Sequence, residues 1–333
     1  MQLTKGMLAG NTQCLSRLIS LVEKDALEVP QIMREIYPQT GRAYCIGITG
    51  LPGSGKSTII DRMAAIARKK GLTVGIIAVD PTSPFTGGAV LGDRVRMEQH
   101  YRDEGVFIRS MATRGNQGGL PRSVRGVIRL LDAFGKALIL VETVGVGQTE
   151  LDIMGSVDTV AVILVPEAGD GIQAIKAGLM EIADIFVVNK ADREGADSLV
   201  TTIKATLDTS QRQSGWQAPV LATQGINNLG IEELFSEVEK HRDVSESTGS
   251  LTARRRKQRR EELIQAVKQR IGERFLALMQ NEERLVKMAE EVERDELDPY
   301  SATLEILTDQ ALLGRLATSG QPSGYSPIAG AKY

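Results

Sequence analysis

In GITGLPGSGKST (47–58), Gly50, Gly55, Lys56 and Ser57 stand in the order G-x-x-x-x-G-K-[ST]. The motif follows a run that reads as a strand and precedes one that reads as a helix, which is the context it requires. Residues of these types at this spacing can hold a polyphosphate. Glycines let backbone N–H groups wrap the phosphate oxygens, and the following helix presents its positive end. Lys56 is placed to reach the β- and γ-phosphates and Ser57 to bind Mg²⁺, with Pro52, Gly53, Ser54 and Thr58 completing the loop.

A phosphate site alone does not separate guanine from adenine nucleotides. VVNKAD (187–192) does so by chemistry: Asn189, Lys190 and Asp192 form N-K-x-D at the end of an apolar run. The Asp192 carboxylate can accept from the N1–H and the exocyclic amine of guanine, a donor pair that adenine lacks. A site built around those bonds rejects adenine, because the carboxylate would be left unsatisfied. LATQG (221–225), with Ala222 and Thr223, is where a further base-contacting loop would lie.

Carboxylates supply the third element. In LILVETVGVGQTE (138–150), Glu142 ends an apolar run ahead of Gly145 and Gly147. It is well placed to hold Mg²⁺, directly or through water, or to orient a water near the γ-phosphate. In AVDPTSPFTGGAVLGD (78–93), Asp80 and Asp93 bracket a loop far longer than the usual connection of about 2–6 residues. Gly87 and Gly88 leave that loop free to move, so γ-phosphate and metal could order it and hydrolysis release it.

These residues need a frame. Seven β-rich runs, AYCIGIT, TVGIIAV, VFIRS, ALILVE, VDTVAVILV, DIFVVN and APVLA, alternate with helical segments. Near-continuous apolar strands separated by helices indicate a mostly parallel, doubly wound sheet buried on both faces. The expected fold is therefore α/β, a P-loop NTPase domain over 41–245. An N-terminal helical extension (1–40) precedes it, with Leu15, Leu18, Ile19 and Val22 on one helical face. DVSESTGS (243–250) reads as a linker to a C-terminal helical arm and tail (246–333).

In that arm, Leu263, Val267, Ile271, Phe275 and Leu278 form one helical stripe, and Leu285, Met288 and Val292 continue a similar pattern until DPY (298–300) breaks it. The stripe must pack on the main domain or on another subunit. The last segment, SGQPSGYSPIAGAKY (319–333), reads as mobile.

Bulk composition excludes several classes. The 333 residues carry a net charge of −2, giving no reason to bind nucleic acid or an anionic membrane. The basic run RRRKQRR (254–260) reads as the solvated start of the arm helix, since it lacks interleaved aromatics for base stacking. Two cysteines and two widely separated histidines argue against a disulfide framework or a zinc centre. With no signal peptide and no long apolar run, a cytoplasmic protein is expected, or a mitochondrial matrix one where a transit peptide has been removed.

Together these motifs resemble the MeaB/ArgK/MMAA family of P-loop GTPases over nearly the whole chain, most specifically in VDPTSPFTGGAVLGDRVRM and ETVGVGQTE. The resemblance implies a G-protein chaperone of adenosylcobalamin-dependent acyl-CoA mutases, chiefly methylmalonyl-CoA mutase. Such proteins gate cofactor delivery and protect or reactivate the mutase. It also implies a homodimer through the C-terminal arm. Asp80 and Asp93 fall in switch I as magnesium or water-network carboxylates, and Glu142 heads switch II. EAGDGIQAIKAG (167–178) takes the place of a third switch, where Gln173 and Lys176 match the polar residues. Glu167 and Gly171 depart from the family pattern there, which bears on the identity of the mutase and on how strongly this switch responds.

Three other readings compete. A kinase at the same phosphate site, including one linked to basic amino-acid transport, predicts ATP preference. A metal-insertion GTPase requires a Cys/His site that two cysteines and two histidines do not evidently supply. A purely structural oligomer does not require Lys56, Ser57, Glu142 and Asp192. The leading reading is a Mg²⁺-dependent GTPase with slow intrinsic turnover that a partner accelerates, because no arginine finger stands out.

Overall fold

The computed structural model describes residues 2–80, 100, 102–112, 123–143, 152–166, 180–209 and 215–318. Three helices open the chain: α1 (Gln2–Leu8), α2 (Thr12–Glu23) and α3 (Val29–Ile36). Asn11 caps α2, its Oδ1 accepting from the N–H groups of Gln13 and Cys14. That cap satisfies two donors the helix itself cannot pair. The sequence-expected stripe Leu15, Leu18, Ile19 and Val22 is buried.

The alternating region follows as β1 (Tyr44–Gly50), α4 (Lys56–Lys69), β2 (Val74–Asp80), β3 (Val106–Ala112), α5 (Ser123–Ala133), β4 (Leu138–Glu142), β5 (Thr159–Leu164), β6 (Ile185–Asn189), α6 (Ala196–Thr209), β7 (Val220–Thr223) and α7 (Ile231–Ser247). All seven expected strands form, in one sheet of order β3-β2-β4-β1-β5-β6-β7. Every strand pair is parallel. A parallel sheet needs a crossover after each strand, and these lie on both faces. One core joins the sheet to α1–α3, α5 and α6; the other joins it to α4, α7 and Leu251. Strands buried on both faces explain the unbroken apolar runs.

The chain divides into two compact units, 1–255 and 256–333. The helix α8 (Ser250–Asn281) runs through the division. Between α7 and α8 the expected linker over 243–250 is not there. Residues through Ser247 are helical, and the turn is confined to Thr248 and Gly249, the latter at φ 75°. Polar residues suggested a loop, but His241 and Ser245 are buried on the inner face of α7, which holds its last turns in place.

The second unit continues from α8 into α9 (Glu283–Glu293), α10 (Pro299–Thr308) and α11 (Gln310–Thr318). DPY does break the pattern: Asp298 caps α10 and Pro299 occupies its first position, where a missing N–H costs nothing. Leu285, Met288, Ala302 and Leu312 form a small buried set, flanked by ion pairs Arg284–Asp309 and Arg315–Glu282. The stripe on α8 is helical as expected, yet Leu263, Val267 and Ile271 are exposed, while Phe275 and Leu278 are half-buried. Among the described residues no helix is long and apolar enough to cross a membrane. The segment 319–333 lies outside the described residues.

Candidate nucleotide-binding site

The carboxyl ends of β1, β4, β6 and β7 bring the sequence-selected groups together, where the sheet order reverses around β1 and open α/β sheets hold their ligands. β1 ends at Gly50, whose φ of 141° and close approach to the Ile163 carbonyl leave no room for a side chain: a Cβ would lie 2.1 Å from that oxygen. The loop then turns into α4 through Gly55, at φ 92°, where a Cβ would meet Asn189 Nδ2 at 2.3 Å. Glycine is required at both positions by contact as well as by backbone angle.

Lys56 and Ser57 start α4 and are both buried. Lys56 Nζ donates to the carbonyls of Gly50 (2.8 Å) and Leu51 (3.0 Å), which holds the ammonium over the loop. Ser57 Oγ donates to Glu142 Oε1 at 2.8 Å. Glu142 is 6% exposed, so it is not a solvated acid at a strand end. Its position follows from register: Glu142 pairs with Ile48 of β1 and Ala78 of β2. A Thr143–Thr49 hydroxyl bond of 2.9 Å closes the strand ends beside it.

A hydroxyl and a carboxylate in contact are oxygen donors suited to a hard cation. No group of three or more His, Cys, Asp or Glu side chains that could hold a metal occurs among the described residues. Two hard oxygen donors of this kind suit a cation such as Mg²⁺, which keeps several waters and takes one or two protein oxygens. Asp80 is the last residue of β2, two residues beyond Ala78 in the same register. Asp93, Gln173 and Lys176 lie outside the described residues.

Asn189 joins the two halves of the site. It ends β6, is 3% exposed, and donates from Nδ2 to the Ser54 carbonyl at 2.7 Å. Its Oδ1 accepts from Thr223 Oγ1 (3.1 Å) and from Gly225 N–H (3.0 Å). One buried amide thus fixes the phosphate loop, the end of β7 and the segment after it. Lys190 takes the left-handed backbone at φ 57°, an uncommon conformation for lysine that turns the chain sharply at the motif. Asp192 follows on an exposed turn tied back by Ala191 N–H to the Thr223 carbonyl (3.0 Å). Ala222 is exposed on β7, whereas the Thr223 hydroxyl is spent on Asn189.

Sequence reasoning missed the opposite end of the sheet. Asp158 and Asp184 immediately precede β5 and β6, and both are buried. Asp158 accepts from Cys45 N–H (2.9 Å) and Asp184 from Val160 N–H (2.8 Å), which pins neighbouring strands. Arg254 makes a two-pronged bond to Asp184 (2.8 and 2.9 Å) and Arg255 one to Asp158 (2.8 and 2.6 Å). The reading of 254–260 as a solvated run is corrected for these two residues. Arg256, Lys257, Arg259 and Arg260 are exposed. Two isolated aspartates before strands, matched to two adjacent arginines at a helix start, were the available signal.

His241 completes this end. Its Nδ1 lies 2.8 Å from Thr159 Oγ1, and its Nε2 lies 3.6 Å from Asp184 Oδ1. Burial holds its pKa below the ordinary histidine range, against the pull of Asp184. The Arg255 guanidinium is held still more firmly charged by its bond to Asp158.

A parallel sheet with a glycine loop entering a helix, a Ser–carboxylate pair and an N-K-x-D turn bonded to that loop defines a P-loop NTPase of the GTPase type. The family model described as "Methylmalonyl Co-A mutase-associated GTPase MeaB" matches residues 15–280, and the chain belongs to that family. A protein of Pyrococcus abyssi, provisionally named a GTPase, is 49% identical over 92% of this chain and 96% of its own length. The Mus musculus "Methylmalonic aciduria type A homolog, mitochondrial" is 30% identical over 90% of this chain and 77% of its own. The crystal structure of LAO/AO transport system kinase superposes with a TM-score of 0.69 at 26% identity, covering 92% of this chain and 95% of that one.

Proposed function

We propose that this MeaB-family GTPase is a Mg²⁺-dependent G-protein chaperone whose hydrolysis cycle gates adenosylcobalamin delivery to an acyl-CoA mutase, most simply methylmalonyl-CoA mutase. The observation that carries the nucleotide reading is the Asn189 bridge, which ties a guanine-reading turn to a phosphate loop through single hydrogen bonds. The mutase reading is supported by the family to which the chain belongs.

In this reading Asp192 pairs with the guanine edge, while Gly50, Pro52, Gly53, Ser54 and Gly55 wrap the phosphates with backbone donors. Lys56 neutralises charge that grows on the γ-phosphoryl group, and Thr58 extends the cradle into α4. Ser57 and Glu142, with Asp80 and Asp93, would hold Mg²⁺, which when bound neutralises charge on the phosphate oxygens. Rate enhancement comes from positioning and electrostatics and uses no histidine or cysteine. Gln173 and Lys176 belong to a third switch facing the mutase. The arm from 246 onward mediates a homodimer, supported by the exposed Leu263, Val267 and Ile271. The domain limits 1–40, 41–245 and 246–333 go with this division of labour. The protein works in the cytoplasm, without nucleic-acid or membrane partners.

GTP turnover measured alone and with a purified acyl-CoA mutase tests the reading. Acceleration by the mutase, and complex formation that depends on a non-hydrolysable GTP analogue, are expected. Turnover unchanged by every acyl-CoA mutase tried contradicts the chaperone role.

A further inference from the structure

Glu142 and Thr143 are consecutive residues held from opposite faces of the sheet. Leu138 and Leu140 of β4 pack in the core shared with α4, whereas Ile139 and Val141 pack in the other core. Alternation along the strand puts Glu142 on the α4 side, where it meets Ser57, and Thr143 on the far side. On β1, Ile46 and Ile48 belong to the α4 side, so Thr49 belongs to the far side as well. Register then brings the two threonines together. Ile48 pairs with Glu142, and Thr143 N–H bonds to the Ile48 carbonyl (3.1 Å) one step past the strand. Thr143 Oγ1 donates to Thr49 Oγ1 at 2.9 Å.

Both threonines are fully buried. Stability alone does not call for a hydroxyl pair at such a place. Replacing both partners of a buried hydrogen bond by apolar groups of the same shape is close to neutral, and valine is that group for threonine. Apolar contact is non-directional, whereas a hydrogen bond has a preferred length and angle. This bond lies one residue from Glu142 on β4 and one residue from Gly50, where β1 enters the phosphate loop. It therefore fixes the end of β4 against the loop that leads into Lys56 and Ser57.

We propose that Thr49 and Thr143 are positioning residues for the Glu142 carboxylate. Their bond holds the end of β4 from the face opposite Ser57, and so aims Glu142 into the oxygen pair that would take Mg²⁺. The inference rests on the Mg²⁺ reading of Ser57 and Glu142, and adds to it two residues that act through Glu142.

The test compares the full chain as wild type, Thr49→Val, Thr143→Val, the double variant and Thr143→Ser. Three quantities are read: melting temperature without nucleotide, GDP affinity with and without Mg²⁺, and GTP turnover. Stability and function should part. Each single valine strands one buried hydroxyl and lowers the melting temperature, while the double variant strands none and recovers most of it. The gain in GDP affinity that Mg²⁺ confers, and kcat at unchanged KM, should fall about fivefold in both single variants, the loss expected for one net hydrogen bond. Both stay down in the double variant. Thr143→Ser keeps the hydroxyl and both functions. A double variant that recovers the Mg²⁺ effect and kcat along with its melting temperature overturns the proposal, as does a loss of function that follows melting temperature across the set. A wild type whose GDP affinity and GTP turnover are indifferent to Mg²⁺ overturns the metal reading itself, which is a separate result.

Discussion

The two ends of the sheet are built from similar polar residues and organised by opposite rules. At the amino ends of β5 and β6, each charge is matched within the fold: Asp158 with Arg255 and Asp184 with Arg254, each in a two-pronged bond. At the carboxyl ends, Lys56 rests on carbonyl oxygens, Glu142 takes the Ser57 hydroxyl, and Asn189 distributes its amide among backbone and hydroxyl groups. Matched charges make the first end a clasp. Among the bonds just named, the second end positions its polar groups through carbonyl, hydroxyl and amide partners at the mouth of the phosphate loop. Breaking the first should cost stability, and breaking the second should cost function.

The largest expected effect is at the carboxyl ends. Lys56→Ala should lower GTP turnover by about 10²–10³, the usual loss for one preorganised electrostatic group, while thermal melting changes little. Steady-state phosphate release together with calorimetry checks both halves of that statement. At the other end, Arg255→Ala leaves Asp158, 4% exposed, without its guanidinium partner. A loss on the order of 3 kcal/mol in urea unfolding is expected, with GDP affinity of the folded fraction unchanged. If Arg255→Ala weakened GDP as much as Lys56→Ala slows hydrolysis, the division between the two ends would fail.

A finer contrast lies within the nucleotide end. Thr223→Val removes one of the acceptor contacts that orient Asn189, and should cost about 1 kcal/mol, read as several-fold weaker GDP binding. Equal affinity would show that Gly225 N–H alone orients the amide.

The two histidines give the smallest and most diagnostic effect, because their shifts have opposite sign. His241 is held below its ordinary pKa by burial, so below about pH 6.5 the unfolded chain binds the proton more readily. Its contribution to stability is present above that value and declines as pH falls toward the folded pKa. His100 is raised by its bond to Asp61, with Nε2 3.3 Å from Oδ1. Its contribution is full below about pH 6.5 and is lost as pH rises through the folded pKa. Unfolding free energies of His241→Gln and His100→Gln between pH 5 and 8, in the range where histidine titrates, should therefore change slope in opposite directions. Parallel slopes would contradict these environments.

Much of the frame was legible in the sequence because a doubly covered parallel sheet writes itself as unbroken apolar runs; all seven were found within a residue or two of their ends. Lys56, Ser57, Glu142 and Asn189 were legible as well, since each sits at a fixed offset from a strand end. The tasks of Thr223, Gly225 and Thr49 were not, because they work through hydrogen bonds between strands far apart in the chain. The basic run misled for the same reason. Periodicity places Arg254 and Arg255 on a helix start, but only the packing of that start near the strand roots separates them from their solvated neighbours. DVSESTGS looked like a linker because polar residues ordinarily signal loops, whereas here Ser245 faces inward toward His241 at 3.3 Å.

Recognition of guanine by a motif bonded to the phosphate loop through Asn189 is the central claim. Titration of labelled GDP into the wild-type chain, with competition by GTP and ATP, and repetition with Asp192→Asn, tests that claim. GTP should displace the label, ATP should fail at concentrations where GTP is complete, and the variant should lose its affinity for GDP. Displacement by ATP as effective as by GTP, or an unimpaired Asp192→Asn, would contradict it.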